Sequence, residues 1–345
     1  MMAVSSGSLN LTDSSFENTE SPLFLLSDVT TLINNATFNR ISCSKTSNSF
    51  CFLKATSSNS IEITNSSLAN LNSNVDLISL SECTQVLLSN MTAQNMLKLN
   101  PENLDQIFVL NALNTKSLNI IQSSFSKFGF SGVKTKNTNL KIQENTFSNS
   151  LETTAHRLLA NDDFYFAKLT QPIQFIILDS SNSTLIGISF IENSLNTLVD
   201  GGGIQILGSG GVHTITDCVF ENNQASNGGA LFVKGQFNYI TILNSEFDNN
   251  QASGNGGALT FSDQSFYDSE PLSHLLLGVK DTLLITQSTF FQNTATLGGA
   301  LYLGNQALVV EFSSFIENNA LRGGAITTMA ASNFFYFIHF LKNQQ

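Results

Sequence analysis

The side chains best suited to chemistry gather in two segments of this chain. One, LETTAHRLLANDDFYFAKLTQPI over residues 151–173, holds His156, Arg157, Asp162, Asp163 and Tyr165. The other, SDQSFYDSEPLSHLLLG over 262–278, holds Asp263, Tyr267, Asp268, Glu270 and His274. Paired carboxylates at a fixed separation are what glycoside hydrolysis requires. Proton abstraction needs a positioned base instead. Two loops of mixed acids, histidines and tyrosines also suit recognition of a ligand without any reaction.

Outside these segments chemistry is sparse. Glu221 and Asp248 recur at one offset in a repeated phrase, so their carboxylates are expected about 5 Å apart if the phrases stack. Two acids make a poor calcium cage, and no metal or cofactor site is predicted. The four cysteines, Cys43, Cys51, Cys83 and Cys218, match no zinc or redox spacing. Cys218 falls at an inward small-residue position and reads as a packed thiol. Cys43 and Cys51 are near enough in sequence to pair across a loop. Five Asn-x-Ser/Thr sequons occur, at Asn10, Asn35, Asn65, Asn90 and Asn182; they carry information only if the protein is secreted.

The elements that position these groups come from a repeat. Phe220, Phe247, Phe290 and Phe315 are each followed three residues later by Asn223, Asn250, Asn293 and Asn318. Gly-Gly-Ala follows at 228–230, 256–258, 298–300 and 323–325. Weaker copies begin at Phe190, with Asn193 and Gly201–Gly203, and at Phe340, with Asn343. Five residues before each ring lies an apolar residue: Leu185, Ile215, Ile242, Ile285, Val310 and Phe335. The same offset recurs at Leu11/Phe16, Ile33/Phe38, Ile63/Leu68, Val86/Met91, Ile120/Phe125 and Ile142/Phe147. Two residues before the ring the side chain is small, as at Ser14, Ala36, Ser66, Ser89, Ser123, Cys218, Ser245, Ser288 and Ser313.

Units of this length cannot bury their own apolar face and must stack on their neighbours. Ile, Val, Phe, Thr, Ser and Asn dominate the periodic segments, which suits short strands rather than helices. About 25 residues with two or three strands make one coil of a parallel β-helix. The chain therefore reads as all-β, a single solenoid domain over 1–345 with about twelve coils. Corner insertions are expected at 96–110, 151–173 and 262–278. The phenylalanines should form an inner ladder. The asparagines should turn the chain through left-handed dihedrals or stack as an amide ladder. The Gly-Gly pairs should supply a second corner, by positive φ or by close backbone approach.

Composition narrows the partners. The chain has 345 residues, 41% hydrophobic and 12% charged, with a net charge of −11. No Lys/Arg cluster exists to hold nucleic acid or an anionic membrane surface. The apolar run NFFYFIHFL is too short to span a bilayer, so direct membrane insertion by this segment is not expected. The first residues lack a basic and then apolar leader pattern. Both ends enter coils abruptly, which reads as a fragment of a longer chain.

The phrase FxxN followed by GGA(L/I), complete at Phe220, Phe247, Phe290 and Phe315, resembles the repeats of the chlamydial polymorphic outer-membrane proteins. The resemblance covers residues from about 185 onward and implies a right-handed parallel β-helix of the pectin-lyase-like superfamily. It also implies an extracellular or cell-surface, adhesive role toward a protein or glycan ligand. A purely structural spacer in a larger surface protein is one alternative; a polysaccharide lyase or hydrolase on the same fold is another. The polygalacturonase-like enzymes join an Asp-Asp to Gly-His-Gly and Arg-x-Lys motifs. Here Asp162-Asp163 has neither, and the arginines are only Arg40, Arg157 and Arg322. No catalytic residues are assigned.

Overall fold

Strand geometry sets the packing problem that this sequence solves. Alternate residues of a strand face opposite ways, so a segment such as YITIL buries Ile240 and Ile242 and leaves Tyr239 outside. Each such strand has one apolar face and two bare edges, and stacking further copies in parallel satisfies both. The computed structural model describes residues 2–18, 24–43, 52–73, 76–98, 108–128, 131–148, 176–179, 181–191, 200–262, 281–304, 306–329 and 333–344. They fall into two compact units, Met1–Ile176 and Ile177–Gln345. Each is a right-handed parallel β-helix, and the described residues contain no helix.

One coil of the second unit shows the plan. Val219–Glu221 lies in sheet C, Gln224–Ala225 in sheet D, Leu231–Lys234 in sheet A and Tyr239–Leu243 in sheet B. The next coil repeats them in register as Glu246–Asp248, Gln251–Ala252, Leu259–Ser262 and Thr282–Thr286. The first unit is built from sheets A, B and C, with strands such as Phe24–Ser27, Val29–Asn34 and Thr37–Asn39.

The rings stack as the spacing predicts. Phe190, Phe220, Phe247, Phe290 and Phe315 have successive centroid distances of 4.8, 4.6, 4.7 and 4.8 Å, with interplanar angles of 7° or less. All five are buried. These separations are the inter-strand spacing itself, so each ring sits on the ring of the next coil. Phe16 and Phe38 stack likewise at 5.0 Å in the first unit.

One coil departs from the expected phase. Leu68 pairs with Ala93 and Ala93 with Phe125, while Leu88 pairs with Ile120. The fourth coil therefore reads Leu88/Ala93, not Val86/Met91, and Ser89 is not its inward small residue. Met91 occupies that position and is buried beside Ala93. The two columns have exchanged large for small, which keeps the interior filled.

The insertions fare differently. Residues 96–98 belong to strand Thr92–Lys98 and 108–110 to strand Phe108–Leu113, so the expected insertion at 96–110 is strand at both ends. Residues 151–173 lie outside the described residues. Ser262 closes strand Leu259–Ser262, and 263–278 lie outside them too.

Candidate functional site

Three residues before each ring, the backbone turns with positive φ: Asp13, Asn35, Asn65, Asn90, Gln122, Glu144, Asp217, Asn244 and Gln287 lie between 48° and 54°. A second turn falls two residues after the ring, at Asn222, Asn249, Gln292, Glu317 and Lys342. The expectation that Asn223, Asn250, Asn293 and Asn318 adopt left-handed dihedrals is corrected here. The residue before each of them turns the chain, and the turn aims the asparagine inward.

Once inside, these asparagines form the amide ladder. Asn223, Asn250, Asn293 and Asn318 each donate from Nδ2 to the Oδ1 of the next asparagine at 2.9 to 3.0 Å, ending on Asn343. The second Nδ2 hydrogen of Asn250 goes to the Phe220 carbonyl at 2.9 Å. Its Oδ1 accepts from the backbone N–H of Asn223 as well as from Nδ2. Both donors and both lone pairs of the buried amide are therefore satisfied.

The Gly-Gly pair divides two tasks. Gly256 has φ 58°, and a Cβ there would meet the Leu259 carbonyl oxygen and Thr260 Oγ1. At Gly257 a Cβ would collide with the carbonyl oxygen of Gly299 in the next coil. Positive φ belongs to the first glycine and close backbone approach to the second.

The predicted chemical groups are placed as follows. Glu221 and Asp248 are strand partners, as their spacing implied. Burial raises the Asp248 carboxyl above its ordinary range, and Glu221 and Glu246 add to the rise. The column does not continue as acids: the next partners are Phe291 and Ile316. Glu317 stands instead at the left-handed corner (φ 55°) and meets Lys342 Nζ at 3.3 Å. Among the described residues no group of three or more His, Cys, Asp or Glu can hold a metal ion. Cys218 is buried, donates to the Thr216 carbonyl and has its thiol pushed up to about 11 by burial. The side chains of Cys43 and Cys51 lie outside the described residues, as do His156, Arg157, Asp162, Asp163, Tyr165, Asp263, Tyr267, Asp268, Glu270 and His274.

Two features escaped the sequence reading. His213 is buried in sheet B, with Nδ1 2.9 Å from Ser183 Oγ in the adjacent strand, and burial lowers its pKa to about 4. Its signal was a lone histidine at an inward position of VHTIT. The other is an outward aromatic corner. Phe312 and Phe337 stack at 5.1 Å, are 58% and 81% exposed, and take φ of 49° and 51° at the turn filled elsewhere by Asp, Asn, Gln, Glu or Gly. Phe334 and Tyr336 are exposed beside them. The run NFFYF carries this signal, because it breaks the alternation of its strand.

Residues 217–234 and 244–262 match the Chlamydia polymorphic membrane protein repeat. Two stretches of the second unit thus carry the polymorphic membrane protein repeat. Each matched stretch begins at the left-handed corner, Asp217 or Asn244, and runs through ring, ladder asparagine and glycine pair to the sheet A strand. Each matched stretch is therefore part of one coil, and the residues it contributes bind that coil to the next. No curated protein and no solved structure matches the chain.

Proposed function

We propose that this protein is a non-catalytic recognition module displayed at a cell surface, with a protein or glycan as its ligand. The observation that carries this reading is the employment of the repeat residues. The rings, asparagines and glycines that define each coil are buried against neighbouring coils, which leaves the repeat as scaffold. The matched repeat is named for a membrane protein, which supports surface display. Specificity then lies in segments added to the scaffold, and 151–173 and 262–278 hold the mixed acids, histidines and tyrosines. A rigid stack presents such segments at little entropic cost.

The test compares the whole chain with versions trimmed at 151–173 and at 262–278. Binding to intact cells and to arrayed glycans should fall at least tenfold on trimming, with unchanged circular dichroism. Release of unsaturated or reducing sugar ends from polyuronides, abolished by Asp162→Asn or Asp163→Asn, would establish the polysaccharide lyase or hydrolase alternative. Absence of any ligand for the untrimmed chain would favour the spacer.

A further inference from the structure

Three of the five sequons occupy one architectural position. Asn35-Ala36-Thr37, Asn65-Ser66-Ser67 and Asn90-Met91-Thr92 place their asparagines at the same corner of three consecutive coils. The φ values are 53°, 49° and 49°, and all three asparagines are exposed. The middle residues Ala36, Ser66 and Met91 are buried. Thr37, Ser67 and Thr92 are strand partners in sheet C. Coil geometry explains the coincidence. The turn three residues before the inner column favours Asn, which tolerates left-handed backbone. The position just before that column alternates away from the core and takes Ser or Thr. In the second unit the corner reads Gly187, Asp217, Asn244, Gln287, Phe312 and Phe337, and Asn244 is followed by Ser245-Glu246, so none is a sequon.

We infer that the corner formed by Asn35, Asn65 and Asn90 is an N-linked glycan attachment edge of the first unit. The side-chain geometry is compatible with the modified form. Asn35 donates from Nδ2 to Asp13 Oδ1 at 2.5 Å, Asn65 to Asn34 Oδ1 at 2.9 Å and Asn90 to Asn65 Oδ1 at 3.0 Å. A primary amide has two N–H groups, and each of these asparagines uses one. In the transfer, Nδ2 bonds to the anomeric carbon of a lipid pyrophosphate-linked oligosaccharide. The bond from that carbon to the pyrophosphate oxygen breaks, the lipid pyrophosphate leaves with the electron pair, and the amide gives up one proton. One N–H remains on the modified amide to donate across the coils, and all three side chains are exposed to solvent. Asn10 and Asn182 stand elsewhere: Asn10 is on the outer face of strand Gly7–Thr12, and Asn182 Oδ1 accepts the Val212 N–H at 2.9 Å.

This inference rests on the surface-display reading, since the transfer occurs in a secretory lumen. Its test is independent of where the natural protein resides. The full chain, given a secretory leader, is expressed in insect cells and recovered from both medium and lumenal membranes. Peptide N-glycosidase treatment in oxygen-18 water then converts each glycosylated Asn to labelled Asp, located by peptide mass spectrometry. The expected result is label at Asn35, Asn65 or Asn90. The variant carrying Thr37→Ala, Ser67→Ala and Thr92→Ala should lose that label and keep the thermal midpoint of the deglycosylated parent. Unlabelled corner asparagines would overturn the inference, whether or not Asn10 and Asn182 carry label. Surface biotinylation of the natural cells tests the display reading separately.

Discussion

At the scale of single residues, the ladder asparagines differ from ordinary turn asparagines because every polar atom of Asn250 is used. Replacing Asn250 with Ala strips a buried acceptor from Asn223 and buried donors from Phe220 and Asn293. Each group left alone costs on the order of 1–3 kcal/mol. The variant should therefore unfold at clearly lower urea concentration, and Asn250→Asp should not rescue it at pH 7, because a carboxylate donates nothing to Phe220. The glycine pair offers a contrast in mechanism. Gly257→Ala should destabilise through collision with Gly299 although its φ is ordinary, and Gly256→Val through both φ and space. Thermal melts that leave either variant unchanged would refute the corresponding assignment.

His213 gives the residue scale a pH dependence. Its pKa is about 4 when folded and 6.5 as a free side chain. A depressed folded pKa means the unfolded chain binds the proton first. The stability from a neutral His213 is whole above about pH 6.5 and is lost progressively as pH falls toward 4. The full loss is on the order of 3 kcal/mol. Urea titrations from pH 7 to 4.5 should show a steeper decline for the natural protein than for His213→Leu. Parallel curves would show that His213 is not buried neutral.

At the scale of elements, the inner ladder explains why the repeat is tolerant in sequence and strict in register. Phe247 lies between Phe220 and Phe290 at 4.6 and 4.7 Å. Phe247→Ala should cost roughly 3–5 kcal/mol, as for other buried aromatics cut to Ala, measured by chemical denaturation. The ladder was legible in the sequence because ring and preceding apolar residue keep a fixed offset wherever no residue substitutes for the ring, and from Phe190 onward an asparagine follows at a fixed offset too. It was not legible at the fourth coil. There Ala93 takes the ring position and Met91 the small one, and the eye follows the larger side chain two residues out of phase. The left-handed corners were misassigned for a related reason. Asn is common both at the turn and one residue beyond it, as in Asn222-Asn223 and Asn249-Asn250, and residue type alone does not separate the two roles. The aromatic corner at Phe312 and Phe337 was hidden because Phe already signified the core.

At the scale of the whole molecule, function is read from what the coils leave over. The repeat residues face one another, so the recognition proposed for 151–173 and 262–278 rests on sequence added to the repeat grammar. That grammar identified the fold and the membrane protein repeat but held no record of a ligand. Stability in such a stack is a sum of coil terms and interface terms, so coils should be removable as units. Residues 217–243 run from one left-handed corner to just before the next, Asn244, which stands where Asp217 stood. Deleting them brings Phe247 onto Phe190 and Thr282–Thr286 onto Val212–Thr216.

The decisive measurement is the thermal unfolding of that deletion beside one of residues 217–230, which cuts the chain out of phase. The in-phase deletion should unfold cooperatively, within a few degrees of the parent and with its β-sheet circular dichroism intact, while the out-of-phase deletion loses the transition. Equal loss of structure in both would contradict a fold built from interchangeable, register-locked coils.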